Sequence, residues 1–167
     1  VASRGLGDVY KRQALSHFEG IKRRMELRAT VQNIAVYDDF AHHPTAISTT
    51  LAGLRKQVGD ARIIAVLEPR SNTMKLGTMS ARLPASLQEA DLLFCYNETQ
   101  GKHSIHWDAE RVFATMSQPT EVHHDLEQLV QAVAAESQPG DHILVMSNGG
   151  FGGFHDKLIS KLKQKYS

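Results

Sequence analysis

The residues that could do chemistry gather in four short polar stretches. They are YDDFAHHPTAI (37–47), EPRSNTMK (68–75), NETQGKH (97–103) and SNGGFGGFH (147–155). Carboxylates and imidazoles dominate the first stretch, cationic groups mark the second, and closely spaced glycines mark the last. Such groups can bind anions, hold a metal or move a proton, and glycines let a ligand approach the backbone.

The first stretch admits three interpretations. A metal site is disfavoured, because His42 and His43 are neighbours that point apart in a strand or helix, and the sequence has neither H-E-x-x-H nor paired cysteines. A capped turn explains Asp38 or Asp39 through the dipole of the following helix, but it does not explain two histidines. The favoured interpretation is an anion site at a helix N-terminus, with His42 or His43 donating to phosphate or carboxylate.

The second stretch offers a candidate carboxylate clamp. Arg70 carries a planar fork that matches a carboxylate in two bonds. Lys75 follows Arg70 by five residues, and Ser71 and Asn72 could equally be turn residues or an N-cap. For Arg70, a solvated loop arginine stays open as the alternative.

The last stretch has four glycines within positions 149–153. Either a ligand approaches this backbone, or the glycines form a tight turn between a strand and a helix. The pattern is not G-x-G-x-x-G, and the chain has no G-x-x-x-x-G-K-[ST] loop, so a bound nucleotide would need its main phosphate cradle elsewhere. The other loop histidines and the tryptophan are expected at the surface: His103, His106, Trp107, His123 and His124.

Each polar stretch follows an apolar run that is typical of a strand buried on both faces. Predicted strands cover 34–39, 63–68, 91–96, 142–147 and, more weakly, 120–124. Predicted helices cover 44–58, 125–137 and 154–166, and segment 23–33 is expected to form an antiparallel strand and turn. This alternation predicts an α/β fold with a mainly parallel sheet, whose strand carboxyl ends carry the ligand site.

Composition limits the classes of protein that this chain could be. Its 167 residues suit one domain, and a net charge of +1 is no footprint of nucleic-acid binding. No apolar run approaches the length of a membrane helix. The single cysteine, Cys95, is expected as a buried strand thiol in a reducing compartment. Residues 1–13 lack any pattern and are interpreted as a tag, scar or artefact.

Four segments resemble the C-terminal domain of the Mur ligases. They are ALSHFEGIKRRMELR (14–28), YDDFAHHPTAI (37–47), VLEPRSNTMKLG (66–77) and MSNGGFGGFHDKL (146–158), and they occur in the family's order. The resemblance covers 14–167. It implies a Rossmann-like three-layer domain, with about six strands, one antiparallel element and helices on both faces.

The resemblance also implies an activity. Family members use ATP and Mg²⁺, bound mainly by a central domain, to join an amine to a UDP-muramyl carboxylate through an acyl phosphate. The second stretch favours the branch that attaches a recycled L-Ala-γ-D-Glu-meso-diaminopimelate tripeptide to UDP-N-acetylmuramate in the bacterial cytoplasm. The alternatives are the branch that adds L-alanine, and a non-catalytic module that binds a nucleotide or muropeptide. Without the N-terminal and central domains, this domain is expected to be inactive.

Site roles follow from the same resemblance, position by position. Asp39 matches the acid that contacts the ATP ribose. His42 and His43 match catalytic positions at the closed reaction centre. Residues of two loops match family positions that contact the incoming peptide. They are Arg70, Asn72, Lys75, Gly149, Gly150 and His155. No metal ligand is expected.

Overall fold

The computed structural model describes residues 24–69, 80–98 and 108–167. Within these ranges the strands are β1 (Glu26–Val31), β2 (Ile34–Asp39), β3 (Ile63–Leu67), β4 (Leu92–Tyr96), β5 (Thr120–His123) and β6 (His142–Met146). The α-helices are α1 (Pro44–Val58), α2 (Leu83–Ser86), α3 (Ala109–Phe113), α4 (Leu126–Glu136) and α5 (Phe154–Lys165). Two short 3₁₀ turns, Ser80–Arg82 and Phe151–Gly153, precede α2 and α5.

The strands form one sheet in the order β1-β2-β6-β3-β4-β5. All neighbours are parallel except β1 and β2, which are antiparallel. The chain turns between them at Gln32 and Asn33, whose φ angles of 50° and 63° lie in the left-handed region. Two such residues in a row suit the right-handed twist of a hairpin. The predicted antiparallel element is therefore confirmed.

Helices cover both faces of the sheet. One apolar core joins α1, α2 and α3 to alternate strand residues such as Ile63, Ala65 and Leu67. The other joins α4 and α5 to the intervening residues Ile64 and Val66. Successive strand residues point to opposite faces, so a continuous apolar strand can supply both cores. The predicted three-layer α/β architecture is confirmed.

The element boundaries follow the local signals in the sequence. Pro44 lies in the first turn of α1, where its missing N–H group costs no helical hydrogen bond. Asp125 caps α4, because its carboxylate accepts from the backbone N–H of Gln128 at 2.9 Å. Cys95 is completely buried in β4 as expected, and burial raises the pKa of its thiol. No helix in the described ranges combines the length and apolarity needed to cross a membrane.

The order of the strands places a point of diverging connections at the end of β6, which we call the crevice. The helices α1 and α2, which follow β2 and β3, lie on one face of the sheet, whereas α5, which follows β6, lies on the other. Since β6 lies between β2 and β3, the chain leaves adjacent strand ends in opposite directions. In open α/β sheets, ligands bind where such connections diverge.

Replacing the α4 cap by Asp125→Ala should lower the free energy of unfolding by about 1 kcal/mol, because the N–H of Gln128 loses its acceptor. Asp125→Asn keeps a capping oxygen and should cost only a fraction of that. Urea denaturation of both variants measures the difference. Equal losses in the two variants would contradict the capping role.

Candidate functional site

The crevice brings together the ends of three strands. Asp39 of β2, Met146 of β6 and Leu67 of β3 are aligned in register. Just beyond them, the N–H of Ser147 donates to the carbonyl of Asp39 at 3.2 Å, and the N–H of Glu68 donates to that of Met146 at 3.0 Å. The first and last polar stretches therefore meet, together with the start of the second.

The side chains of the two adjacent aspartates lie on opposite faces of the sheet. The carboxylate of Asp38 lies 3.0 Å from His155 Nε2 at the start of α5, and 3.5 Å from Arg28 of β1. That of Asp39 turns toward α1, where the Thr50 hydroxyl lies 3.5 Å away. Strand alternation explains the divergence, because neighbouring side chains leave a strand in opposite directions.

Asp39 organises the loop between β2 and α1. Its carboxylate accepts from the backbone N–H groups of Ala41 at 2.7 Å and Met25 at 2.8 Å. Burial raises the pKa of Asp39, and these two hydrogen bonds oppose the rise because they favour the ionised form. The carboxylate thus ties β1, the loop and α1 together, and its contact with a ribose stays a prediction.

His42 and His43 both use Nδ1 in a local hydrogen bond, but the two neutral rings differ in which nitrogen carries the proton. His42 Nδ1 lies 3.0 Å from the carbonyl of Phe40, so this nitrogen carries the proton and the neutral ring keeps its lone pair on Nε2. His43 is the N-cap of α1, where Nδ1 accepts a long 3.4 Å hydrogen bond from the N–H of Ala46. Its neutral ring therefore carries the proton on Nε2. The rings lie 5.2 Å apart, nearly perpendicular, so one acceptor and one donor stand side by side.

A cavity of about 530 Å³ opens beside this loop. Its volume suits a small organic ligand. Its wall is formed by the start of β1, the loop after β2 and the first turns of α1, and includes Arg24, Asp39, His42, His43 and Thr49. Asp39, which is predicted to contact the nucleotide, therefore lines the same cavity as His42 and His43, which are predicted to be catalytic.

A buried carboxylate that sequence reasoning did not single out lies at the end of β3. Glu68 is 6% exposed and accepts from the hydroxyl of the fully buried Ser147 at 2.5 Å. Burial raises the pKa of Tyr96, and the negative charges of Glu98 and Glu68 raise it further. The sequence did contain a signal for Glu68, because this acid directly follows a fully apolar run. Burying a carboxylate there costs free energy, so its presence indicates a specific partner.

The glycine-rich loop is partly open to solvent and partly buried. Gly149 is half-buried and Gly150 is exposed, whereas Phe151 is buried with an unusual φ of 52°. Phe151 stacks on Phe154 at 4.8 Å between ring centroids. At Gly152 the φ is 56°, and an added Cβ would lie 2.8 Å from a methyl group of Leu126. The glycines thus serve a tight turn and also leave backbone accessible at the crevice.

His155 lies at the buried end of this loop. It is 5% exposed, and its contact with Asp38 has the length of an ion pair but not the alignment of a hydrogen bond. The ring therefore faces the interior between β2 and α5. Contact of His155 with substrate stays a prediction.

Most of the remaining candidate residues lie outside the described ranges, and one described histidine forms local contacts. Arg70, Asn72 and Lys75 lie outside the described residues, as do His103, His106 and Trp107. His124 is half-exposed and joins the carbonyl of Asn97, at 2.8 Å, to Glu110, at 3.0 Å. The described ranges contain no group of three or more His, Cys, Asp or Glu residues arranged to hold a metal.

Comparison with known proteins gives consistent matches. The family described as "Mur ligase, glutamate ligase domain" matches residues 23–149. The UDP-N-acetylmuramate–L-alanyl-γ-D-glutamyl-meso-2,6-diaminoheptandioate ligase of Escherichia coli K12 is 52% identical over 153 residues, which are 91% of this chain and 33% of that protein. The chain thus spans about a third of the length of the curated relatives that it matches.

Two solved structures share the fold and much of the sequence. A domain from a Haemophilus ducreyi 35000HP protein, described as a ligase of the same kind, is 45% identical with a TM-score of 0.71, over 83% of this chain and 99% of that one. A murein peptide ligase from Psychrobacter arcticus 273-4 is 41% identical with a TM-score of 0.76, over 90% of this chain and 32% of that one.

The raised pKa of Asp39 predicts a pH-dependent effect of Asp39→Asn on stability. The folded protein holds this proton more tightly than the unfolded chain, whose pKa is near 3.8. Ionised Asp39 therefore lowers stability as pH rises through its folded pKa, whereas the Asn variant lacks this titration. The free energy of unfolding of the wild type minus that of the variant should fall as pH rises from about 4 toward neutrality.

Urea denaturation at a series of pH values measures this difference. The exposed Asp60, replaced by Asn in the same way, is the control. A difference for Asp39→Asn that stays flat or grows with pH would contradict the assigned burial effect.

Proposed function

The chain belongs to the Mur ligase family, and from this membership we propose that it is the third domain of a larger ATP-dependent amide ligase. The enzyme joins the tripeptide L-Ala-γ-D-Glu-meso-diaminopimelate to UDP-N-acetylmuramate in the bacterial cytoplasm. The observation that carries the proposal is the 52% identity to a ligase named for this substrate. This identity, together with the EPRSNTMK stretch, supports the peptide-adding branch over the alanine-adding branch.

ATP, accompanied by a divalent cation, supplies the activation that turns the UDP-sugar carboxylate into an acyl phosphate. Amide formation then follows when the peptide amine attacks the acyl carbon, phosphate leaves and the amine loses a proton. The sequence has no phosphate-loop motif, so the nucleotide phosphates and Mg²⁺ are held mainly by the central domain. This domain closes over them and excludes water.

The loop after β2 supplies the groups that face this chemistry. His43 donates from Nε2 to an anionic oxygen, assisted by the N-terminus of α1. His42 offers the lone pair of Nε2, which accepts the proton that the amine loses. Asp39 holds the loop in shape and lies on the nucleotide side. The shared cavity and the opposite tautomers of the two rings support this division of roles.

The peptide binds across the crevice at β6. Arg70 clamps a carboxylate of the peptide, and Asn72 and Lys75 of the same sequence stretch also contribute to peptide binding. The glycine-rich loop offers backbone at Gly149 and Gly150. Support comes from the position of Glu68, which lies two residues before Arg70 and is hydrogen-bonded to the start of the glycine-rich loop.

Ligation by the full-length enzyme tests the proposed function. The wild type should form UDP-N-acetylmuramyl-tripeptide and ADP only when ATP, sugar and tripeptide are all present. Arg70→Ala should raise the KM for tripeptide by roughly 10- to 100-fold, because it removes a charge-assisted pair. The KM for UDP-N-acetylmuramate should change little.

Arg70→Lys is the matched control, because it keeps the positive charge but not the planar guanidinium. Its KM for tripeptide should lie between those of the wild type and Arg70→Ala, since an ammonium cannot form the two parallel bonds. Unchanged KM in Arg70→Ala would exclude the clamp. Faster use of L-alanine than of tripeptide by the wild type would exclude the peptide-adding assignment.

Separate histidine variants test the two roles. His42→Ala should lower kcat by about 100-fold or more with little change in stability, because it removes the acceptor for the proton. His43→Asn keeps an N-cap for α1 but loses the outward donor, so Tm should hold while kcat falls. Steady-state kinetics and thermal denaturation measure both. Wild-type kcat in His42→Ala would remove it from the mechanism.

A further inference from the structure

Glu68 lies where three strand ends meet, and it is buried rather than open to solvent. Its carboxylate accepts from the Ser147 hydroxyl at 2.5 Å, and both residues are buried. Their backbones are fixed as well, because the N–H of Glu68 bonds to Met146 and that of Ser147 bonds to Asp39. The side-chain bond therefore links the ends of β3 and β6 at the floor of the crevice.

The same hydroxyl extends this link into the glycine-rich loop. The backbone N–H of Gly149 donates to Ser147 Oγ at 3.1 Å. An ionised Glu68 can only accept, so it orients the hydroxyl proton toward itself and leaves the oxygen lone pairs for Gly149. Carboxylate, hydroxyl and amide thus form a directed chain that sets the path of the loop after Ser147.

The far end of the loop is anchored by packing. Phe151 is 1% exposed, and its ring lies 4.8 Å from that of Phe154 and 5.7 Å from that of Tyr96. Between this anchor and Ser147, residues 148–150 remain accessible. The loop is therefore held at both ends while its middle is partly open to solvent.

Packing alone gives no reason for a carboxylate at this position. Burying a charge costs more than burying an apolar group of the same size, and all five residues of β3, which ends directly before Glu68, are apolar. Accepting a hydrogen bond from the Ser147 hydroxyl, in contrast, requires a polar group such as a carboxylate. The hydrogen bond from Ser147 is thus one interaction that a carboxylate makes here and an apolar group could not.

We propose that Glu68 is a positioning residue that acts through Ser147 to hold the glycine-rich loop (147–153) in the conformation that receives the incoming amine substrate. This inference rests on the proposed function, which assigns the loop to the peptide. Glu68 does not touch the reacting atoms. Its effect is expected in the binding of one substrate and in the mobility of one loop.

The test compares two buried serines in the full-length enzyme. Ser147→Ala breaks the chain from Glu68 to Gly149. Ser137→Ala is the matched control, since Ser137 is also fully buried and donates to a backbone carbonyl at 2.6 Å, but at the end of α4. Glu68→Gln is a second variant that keeps the size and an acceptor but loses the fixed direction of the chain.

Two measurements are made on each variant. Hydrogen exchange of the backbone amides of 148–153 should accelerate at least 10-fold in Ser147→Ala, less in Glu68→Gln, and not in Ser137→Ala. The KM for tripeptide should rise about 10-fold in Ser147→Ala, while the KM values for ATP and UDP-N-acetylmuramate stay within 2-fold. Glu68→Gln combined with Ser147→Ala should raise the KM for tripeptide less than the product of the single effects, because the residues act as one unit.

The proposal is overturned by unchanged exchange in Ser147→Ala, by an equal effect in Ser137→Ala, or by multiplicative effects in the double variant. Faster exchange with an unchanged KM for tripeptide would separate the loop from substrate binding and also overturn it. If Ser147→Ala does not fold, Glu68→Gln decides by the same two measurements. If the wild type does not ligate tripeptide, the proposed function and the substrate role fail together, and hydrogen exchange alone decides whether Glu68 holds the loop.

Discussion

The insertion of β6 between β2 and β3 is the constraint on which the rest of the structure depends. It aligns Asp39, Met146 and Leu67 at one edge and sends the following segments to opposite faces of the sheet. Every polar group described at the crevice sits within a few residues of that alignment. A different strand order with the same strands would place the loop after β2 and the glycine-rich loop far apart.

Buried polar groups at this edge act as connectors between elements. Asp39 joins β1 and α1 to the loop after β2, and Asp38 meets α5 through His155. Glu68 meets the glycine-rich loop through Ser147. Burial of each carboxylate carries a desolvation cost, which its hydrogen bonds or ion pair offset.

Local signals predicted most of the fold because each was strong by itself. Continuous apolar runs marked the buried strands, Pro44 and Asp125 marked helix starts, and helical periodicity marked α1, α4 and α5. The short helices α2 and α3 went unpredicted, because four or five residues are too few to show a period. The resemblance of the polar stretches to a known family then led to the correct architecture.

The sequence by itself determined which residue types stand at the strand ends, and hence the kind of chemistry and the family. Only the tertiary structure decided which of them meet. Asp38 and Asp39 are indistinguishable by residue type, but strand alternation directs the side chain of Asp38 toward α5 and that of Asp39 toward α1. Glu68 and Ser147 are 79 positions apart, and their hydrogen bond exists only because β3 and β6 are neighbours. Pairing between distant strands depends on the packing of the whole chain, so no local pattern encodes it.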